Sequence, residues 1–227
     1  MNIIITRPME DALPLADKLK AMGHEVVIAP VLQIVARADV EIPQRPYQAI
    51  CLTSANGVRV LENVDLFKDI PVLAVGPQSK QVAVDRGFLH VQAKGGDVVG
   101  LAAHVAATLR PSGGPLLYIS GSQTSGDLEG KLRDAGFDVD RVITYDAKPA
   151  DLSGNESEIK TSQAVFLYSP RSAKLWVQNM NNLHLQHVAA TLIHICLSPA
   201  IAACLPESWP RCIAESPTEA ALIAALD

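Results

Sequence analysis

The chain has 227 residues, a formal net charge of −5, and 48% apolar against 19% charged residues, the balance of a packed globular protein rather than a disordered one. That length supports two small α/β domains, each with its own core. An acidic balance without a basic stripe argues against a nucleic-acid surface, so an anionic ligand has to be held locally, by backbone N–H groups as well as side chains.

The amino end, MNIIITRPMEDALPL, has no basic stretch before its apolar run, and Arg7, Glu10 and Asp11 interrupt that run early. No export signal is expected, which points to the cytoplasm. No membrane span is expected either: the stretch from Val188 to Leu205 is the most apolar, and His194, Ser198 and Pro199 break it below the roughly 18 residues a span needs.

Short β-branched runs bounded by Gly or Pro alternate with amphipathic stretches, which predicts an α/β fold with mostly parallel sheet and crossover helices. In chain order, helices are predicted over Glu10 to Met22, Asn56 to Val64, Gln78 to Arg86, Asp97 to Leu109, Ser125 to Ala135, Arg171 to Met180 and Thr218 to Leu226, with a strand before most of them. Gly23 and Gly136 suit helix C-caps, where φ is positive. Asp97 and Thr218 suit N-caps. Cys51, Cys196, Cys204 and Cys212 form no C-x-x-C pair and have no His at metal-ligand spacing, so they read as reduced, mostly buried thiols and not as a zinc site.

The same order contains a repeat. LADKLKAMGHEV, ending at Val26, resembles DLEGKLRDAGFDV, ending at Val139, with Gly23 matching Gly136. Ala49 to Val58 (AICLTSANGV) resembles Ala164 to Ala173 (AVFLYSPRSA), Ala74 to Ala83 resembles Cys196 to Leu205, and Gly96-Asp97 and Pro217-Thr218 each open a last helix. The chain therefore reads A-B-A′-B′, as from duplication of one α/β unit, although any two α/β chains show some echoes of this kind. The repeat alone leaves open whether A pairs with B or with B′.

Helix N-termini expose unpaired N–H groups and the positive end of the helix dipole, which suits carboxylates and phosphates. Six turns where a strand's carboxyl end meets the next helix are candidates: Thr6-Arg7-Pro8, Thr53-Ser54-Ala55-Asn56, Gly76-Pro77, Ser120-Gly121-Ser122, Ser169-Pro170 and Ser198-Pro199. Each alone reads as plain capping; six in equivalent positions suggest two sets facing one anion-binding cleft. The nucleotide, dinucleotide, serine-hydrolase and zinc-protease signatures are absent, and the six histidines are scattered, which leaves little conventional acid-base machinery. Tyr145, at the end of DVDRVITYDA, is singled out because a phenol donates a proton while neutral at pH 7; a half-buried strand tyrosine is the alternative.

Taken together, IITRP, LTSANGV, VGPQSKQVA followed by GF, the LLYISG turn, VITYDA and FLYSPRSA resemble uroporphyrinogen-III synthase, in order and over the full length. The resemblance implies two similar parallel-sheet α/β domains joined by a two-stranded linker, the first domain discontinuous: about 1–35 with 150–227, then about 40–143, with linker strands Leu32 to Ala36 and Thr144 to Pro149. It implies that hydroxymethylbilane loses its hydroxyl, that ring D is inverted through a spirocyclic intermediate, and that the chain closes to uroporphyrinogen III. No metal or organic cofactor is implied, and a monomer with neither nucleic acid nor membrane as partner is expected.

Substrate and product in this family carry eight carboxylates, held largely by backbone N–H and hydroxyl groups. The resemblance maps Thr53, Ser54, Gly76, Ser79, Ser169 and Ser198 onto cleft-facing positions and Tyr145 onto the tyrosine that assists departure of the hydroxyl. Thr6, Arg7, Ala55, Asn56, Ser120 and Gly121 complete the expected binding set. Two positions depart from the family pattern. Ile201 stands where a hydroxyl residue is expected, and Ser120 where the turn often carries a base, with Ser122, Gln123 and Thr124 beside it as candidates to compensate. A non-catalytic two-domain protein binding a tetrapyrrole or other small polyanion, and a degenerate synthase-like regulator, are the rival readings.

Overall fold

The computed structural model describes residues 1–226. In chain order the elements begin β1 (Asn2–Ile5), α1 (Met9–Ala21), β2 (Glu25–Ile28), β3 (Leu32–Ala36), β4 (Ala49–Leu52), α2 (Ala55–Arg59), β5 (Val72–Ala74), α3 (Pro77–Asp85) and β6 (Val91–Ala93). They continue with α4 (Val98–Thr108), β7 (Leu116–Gly121), α5 (Leu128–Asp134), β8 (Val139–Pro149), α6 (Glu156–Thr161) and β9 (Ala164–Leu167). The chain ends with α7 (Pro170–Asn182), α8 (Gln186–Ala189), β10 (Ile193–Cys196), α9 (Pro199–Ala202), β11 (Arg211–Ile213) and α10 (Glu219–Ala224). None of the helices of the described residues is long and apolar enough to cross a membrane.

The chain divides into two compact units, one built from Met1–Gln33 together with Lys148 onward, the other from Ile34–Ala147. Unit 1 holds a five-stranded sheet in the order β11-β10-β9-β1-β2, and unit 2 a six-stranded sheet in the order β3-β8-β7-β4-β5-β6. Strands β7, β4, β5 and β6 pair in parallel, as do all neighbours in unit 1. These sheets are covered on both faces, as parallel sheets require. In unit 1, Ile4, Val165, Leu167 and Cys196 pack under Trp176 and Met180 of α7, while Ile3, Ile5 and Phe166 pack under Leu15 and Leu19 of α1 and Leu222 of α10.

The pairing left open by the repeat is resolved by the strand order. Segment A (β1, β2) lies beside B′ (β9, β10, β11), and A′ (β7, β8) lies beside B (β4, β5, β6). The registers agree residue by residue: Ile3 sits opposite Ala164 and Leu116 opposite the equivalent Ala49. Gly23 and Gly136, after equivalent helices, have φ of 86° and 88°, the left-handed C-cap geometry the sequence predicts. Asp97 accepts from Gly100 N–H and Thr218 from Ala221 N–H, the two expected N-caps.

Three expectations need correction. The helix predicted over Asn56 to Val64 stops at Arg59: Asn63 turns left-handed at φ 52° and a 3-10 turn follows at Val64–Leu66, while Arg86 donates to the carbonyl of Leu61. The helix predicted from Ser125 begins at Leu128, because Asp127 is its cap, accepting from Gly130 N–H at 2.8 Å. The short helices α6 and α8 have no counterpart in the sequence reading, and the helix expected to open at Ser198-Pro199 runs only four residues, as α9; with four to six residues such elements carry little periodicity.

His194 on β10 is fully buried. Its Nδ1 donates to the Pro210 carbonyl at 2.9 Å, its Nε2 accepts from Trp176 Nε1 at 3.1 Å, and the ring stacks on Trp209 with centroids 5.0 Å apart. Those partners fix the neutral tautomer, since a proton on Nε2 would face the indole N–H. Burial is the main cause that pulls the imidazole down to about 4. The unfolded chain therefore binds the extra proton between pH ~6.5 and ~4, and stability is lost as pH falls through that window. An acid-melting series should show a loss on the order of 2–3 kcal/mol there, and His194→Gln should flatten that slope.

Candidate active site

In open α/β sheets the crevice lies at the carboxyl edge where neighbouring strands send their connections in opposite directions. In unit 2 that point falls between β4, which leads to β5, and β7, which leads to β8. In unit 1 it falls between β1, which leads to β2, and β9, which leads to β10. The candidate turns sit at these edges for the same topological reason.

At the unit 2 edge, Thr53 Oγ1 lies 3.0 Å from the hydroxyl of Tyr118, the neighbour from β7. Burial pushes the Tyr118 phenol up, partly offset by the Thr53 bond, so it stays neutral. Arg141 is opposite Tyr118 in register on β8, with its guanidinium carbon 5.7 Å from the Tyr118 ring centroid. Its Nε donates to Ser120 Oγ at 2.9 Å and its Nη2 to the Gly121 carbonyl at 3.0 Å, and Glu129 lies 3.6 Å away. The positive charge that Ser120 fails to supply from the turn thus arrives from the adjacent strand.

The register shifts between Ser120 and Gly121: Ser120 lies opposite Ile143, and Gly121 lies opposite Tyr145 instead of Thr144. The bulge skips Thr144, whose hydroxyl donates to the Gly57 carbonyl at 3.1 Å. Tyr145 is 6% exposed and its ring rests directly on Gly121: a Cβ there would lie 2.6 Å from Tyr145 Cζ and 3.0 Å from its hydroxyl oxygen. Ser122 N–H donates to the Tyr145 carbonyl at 3.0 Å, closing the turn over it.

The remaining candidates divide by how their donors are used. Ser54 caps α2, accepting from Asn56 N–H at 3.2 Å, and Ala55 and Asn56 form the buried first turn, Asn56 Oδ1 accepting from Arg59 at 2.7 Å. Gly76 caps the nine-residue α3 without a side-chain bond, as Pro8 does α1, with Ser79 buried in its first turn. Ser120-Gly121-Ser122 is not a helix start, contrary to expectation: β7 runs through Gly121 and α5 begins only at Leu128.

In unit 1, Thr6 is buried and donates its hydroxyl proton to the Phe166 carbonyl at 2.6 Å, tying β1 to β9. Ser169 caps α7 in a reciprocal box with Ser172, whose hydroxyl also takes the Ser169 N–H at 2.9 Å. That box uses donors that an anion would need. Ser198 stands at the N-cap position of the four-residue α9 with no side-chain capping bond, and Ile201 is buried against the core, so the missing hydroxyl is replaced by apolar packing.

Arg7 lies 4.8 Å over the ring of Tyr168, and its Nη1 pairs with Glu219 at 3.3 Å. Tyr168 stands in unit 1 where Thr53 stands in unit 2, but the residue facing it, equivalent to Tyr118, is Ile5. Its hydroxyl is buried and has no hydrogen-bond partner among the described residues, and burial pushes the phenol well above its usual range. Removing an unsatisfied buried hydroxyl carries no bonding cost. Tyr168→Phe should therefore leave the melting temperature unchanged or raise it, and a clear fall in a thermal melt would contradict this assignment.

Tyr118 and Arg141 escaped sequence reasoning, since each lies inside a strand and only the register brings them together. Burial lifts the Cys51 thiol to about 12 and Cys196 to about 11, so neither offers a thiolate. Among the described residues, no group of three or more His, Cys, Asp or Glu could hold a metal ion.

A family model described as uroporphyrinogen-III synthase HemD matches residues 14–224. A 64-residue stretch is 41% identical to a Methanocaldococcus jannaschii protein named provisionally as a uroporphyrinogen-III synthase, covering 28% of this chain and 27% of that protein's length. Among solved structures, uroporphyrinogen-III synthetase from Helicobacter pylori aligns with a TM-score of 0.68 at 17% identity, covering 99% of this chain and 97% of that one. A mutant uroporphyrinogen III synthase from Thermus thermophilus aligns with a TM-score of 0.53 at 12% identity, covering 100% and 97%. At such identities the two structures show a shared α/β fold.

Proposed function

The chain belongs to the uroporphyrinogen-III synthase family, and on that premise we propose that it closes hydroxymethylbilane to uroporphyrinogen III, with loss of water and inversion of ring D. The observation that carries this reading is the placement of Tyr145: a phenol seated on Gly121 at the carboxyl edge of unit 2, beside a turn held by Arg141. Tyr145 gives its proton to the departing hydroxyl, which leaves as water, while the electron pair of the pyrrole expels it. The substituted carbon of ring D attacks the resulting electrophile, the spirocycle reopens, and ring closure returns a proton to the phenolate. Overall one water is lost.

Most of the acceleration comes from holding the flexible bilane folded, since the bond-forming carbons have to meet at a substituted position that the free chain avoids. The substrate's acetate and propionate groups suit the N–H and hydroxyl donors at Thr53, Gly76 and Ser79. Ser54, Ala55, Asn56 and Ser169 serve chiefly to fix the turns, and Thr6, Ser120 and Gly121 shape the strand ends. No cofactor has a step in this scheme.

Mixing the purified chain with freshly generated hydroxymethylbilane should remove the bilane far faster than its spontaneous closure. Decay at the uncatalysed rate would end the enzymatic reading.

A further inference from the structure

In unit 1, Lys18 on α1 holds the carboxylate of Glu219 at 2.6 Å, and the same side chain pairs with Arg7 at 3.3 Å. Glu219 is the first residue of α10, directly after its N-cap Thr218. The repeat gives each of these a counterpart in unit 2. Lys18-Leu19 on α1 corresponds to Lys131-Leu132 on α5, and Thr218-Glu219 corresponds to Asp97-Val98 at the start of α4. Unit 2 has therefore kept the lysine and replaced the acid by valine.

Where unit 1 carries its own carboxylate, unit 2 has a cavity of about 280 Å³ lined by Thr53, Gly96, Val98, Ser125 and Lys131, among others. Asp97, the only acid in that lining, turns Oδ1 to Gly100 N–H at 2.7 Å and is engaged as a cap. Among the described residues, none of the ion pairs involves Lys131. The cavity also opens on the first turn of α4, an 11-residue helix whose leading N–H groups have no intrahelical acceptor.

We propose that this cavity is a carboxylate subsite, in which Lys131 binds one acetate or propionate group of the ligand as Lys18 binds Glu219. The identity of the ligand rests on the synthase reading above; the preference for a carboxylate rests on the internal precedent in unit 1. Thr53 joins the subsite to the Tyr118 and Arg141 cluster, so a group bound at Lys131 belongs to a molecule that also lies at the unit 2 edge.

The test uses uroporphyrin III, a fluorescent octacarboxylate, titrated into the full chain. Lys131→Met should weaken its binding about three- to thirty-fold, the range for losing one partly exposed charge-assisted bond, and Lys131→Arg should restore most of it. Val98→Glu plants the acid that unit 1 already has; because Val98 packs in the core cluster with Leu101 and Leu128, the change should lower the melting temperature, but pairing with Lys131 should soften that loss and weaken the probe by a similar factor. In a Lys131→Met background, with no cation to pair, the same change should lower the melting temperature further. Unchanged binding by folded Lys131→Met overturns the subsite, whatever Val98→Glu does. If the wild type binds the probe in a Lys131-dependent way yet consumes no hydroxymethylbilane, the subsite stands and the synthase reading falls. If it makes uroporphyrinogen III and Lys131→Met leaves both KM and probe binding unaltered, only the subsite falls.

Discussion

Tyr145→Phe is expected to slow formation of uroporphyrinogen III by about 10²- to 10⁴-fold, the usual contribution of a positioned general acid. The phenylalanine ring keeps its seat against Gly121, and loss of one hydroxyl costs roughly 1 kcal/mol of stability, so the protein should still be folded at assay temperature. Substrate binding should be nearly intact, because the carboxylate ligands are elsewhere; the loss falls on kcat. Since a phenol keeps its proton at neutral pH, the rate should hold through that range and not follow a carboxylate or histidine titration. Full activity in this variant would remove Tyr145 from the chemistry and leave catalysis to positioning alone.

A second large effect is expected at Gly121. An alanine Cβ would stand 2.6 Å from Tyr145 Cζ and 2.8 Å from Cε2, distances no relaxed contact shows. The ring has to move, and it cannot do so freely, since Tyr145 is buried and the Ser122 N–H holds its backbone carbonyl at 3.0 Å. Gly121→Ala should therefore cost about 1–3 kcal/mol by overpacking and lower kcat by at least about tenfold through displacement of the phenol. Combining it with Tyr145→Phe gives the sharper result. If Gly121 acts only by seating that hydroxyl, the double variant should be scarcely slower than Tyr145→Phe alone, although its stability loss remains. Independent, multiplying losses would show that the bulge serves the reaction by another route.

Much of this organisation was legible in the chain because duplication writes the same physics twice. Gly23 and Gly136 both need the left-handed region, and Asp97 and Thr218 both cap, so matching punctuation marked matching helices. What the repeat could not contain was which A segment lies against which B segment, since strand neighbours are set by long-range pairing. The strand orders decide it, A with B′ and A′ with B.

The candidate site was only partly readable for the same reason. Tyr145 and the turns could be named from local sequence, but the Tyr118, Arg141 and Thr53 cluster depends on register across three strands. Sequence also overstated some turns. A serine before a helix signals a cap, and at Ser169 the capping box with Ser172 engages the donors a ligand would want. Ile201, a departure from the family pattern, is a core residue packed with the apolar cluster around Leu205 and Trp209. Lys131 carried no signal at all until its counterpart Lys18 was found holding a carboxylate.

The central claim is that this chain directs ring closure with inversion of ring D, and the isomer composition of its product reports on that directly. Hydroxymethylbilane generated enzymatically, treated with the purified chain, oxidised and chromatographed should give predominantly the type III porphyrin. Type I porphyrin alone, the product of closure without inversion, would contradict the account.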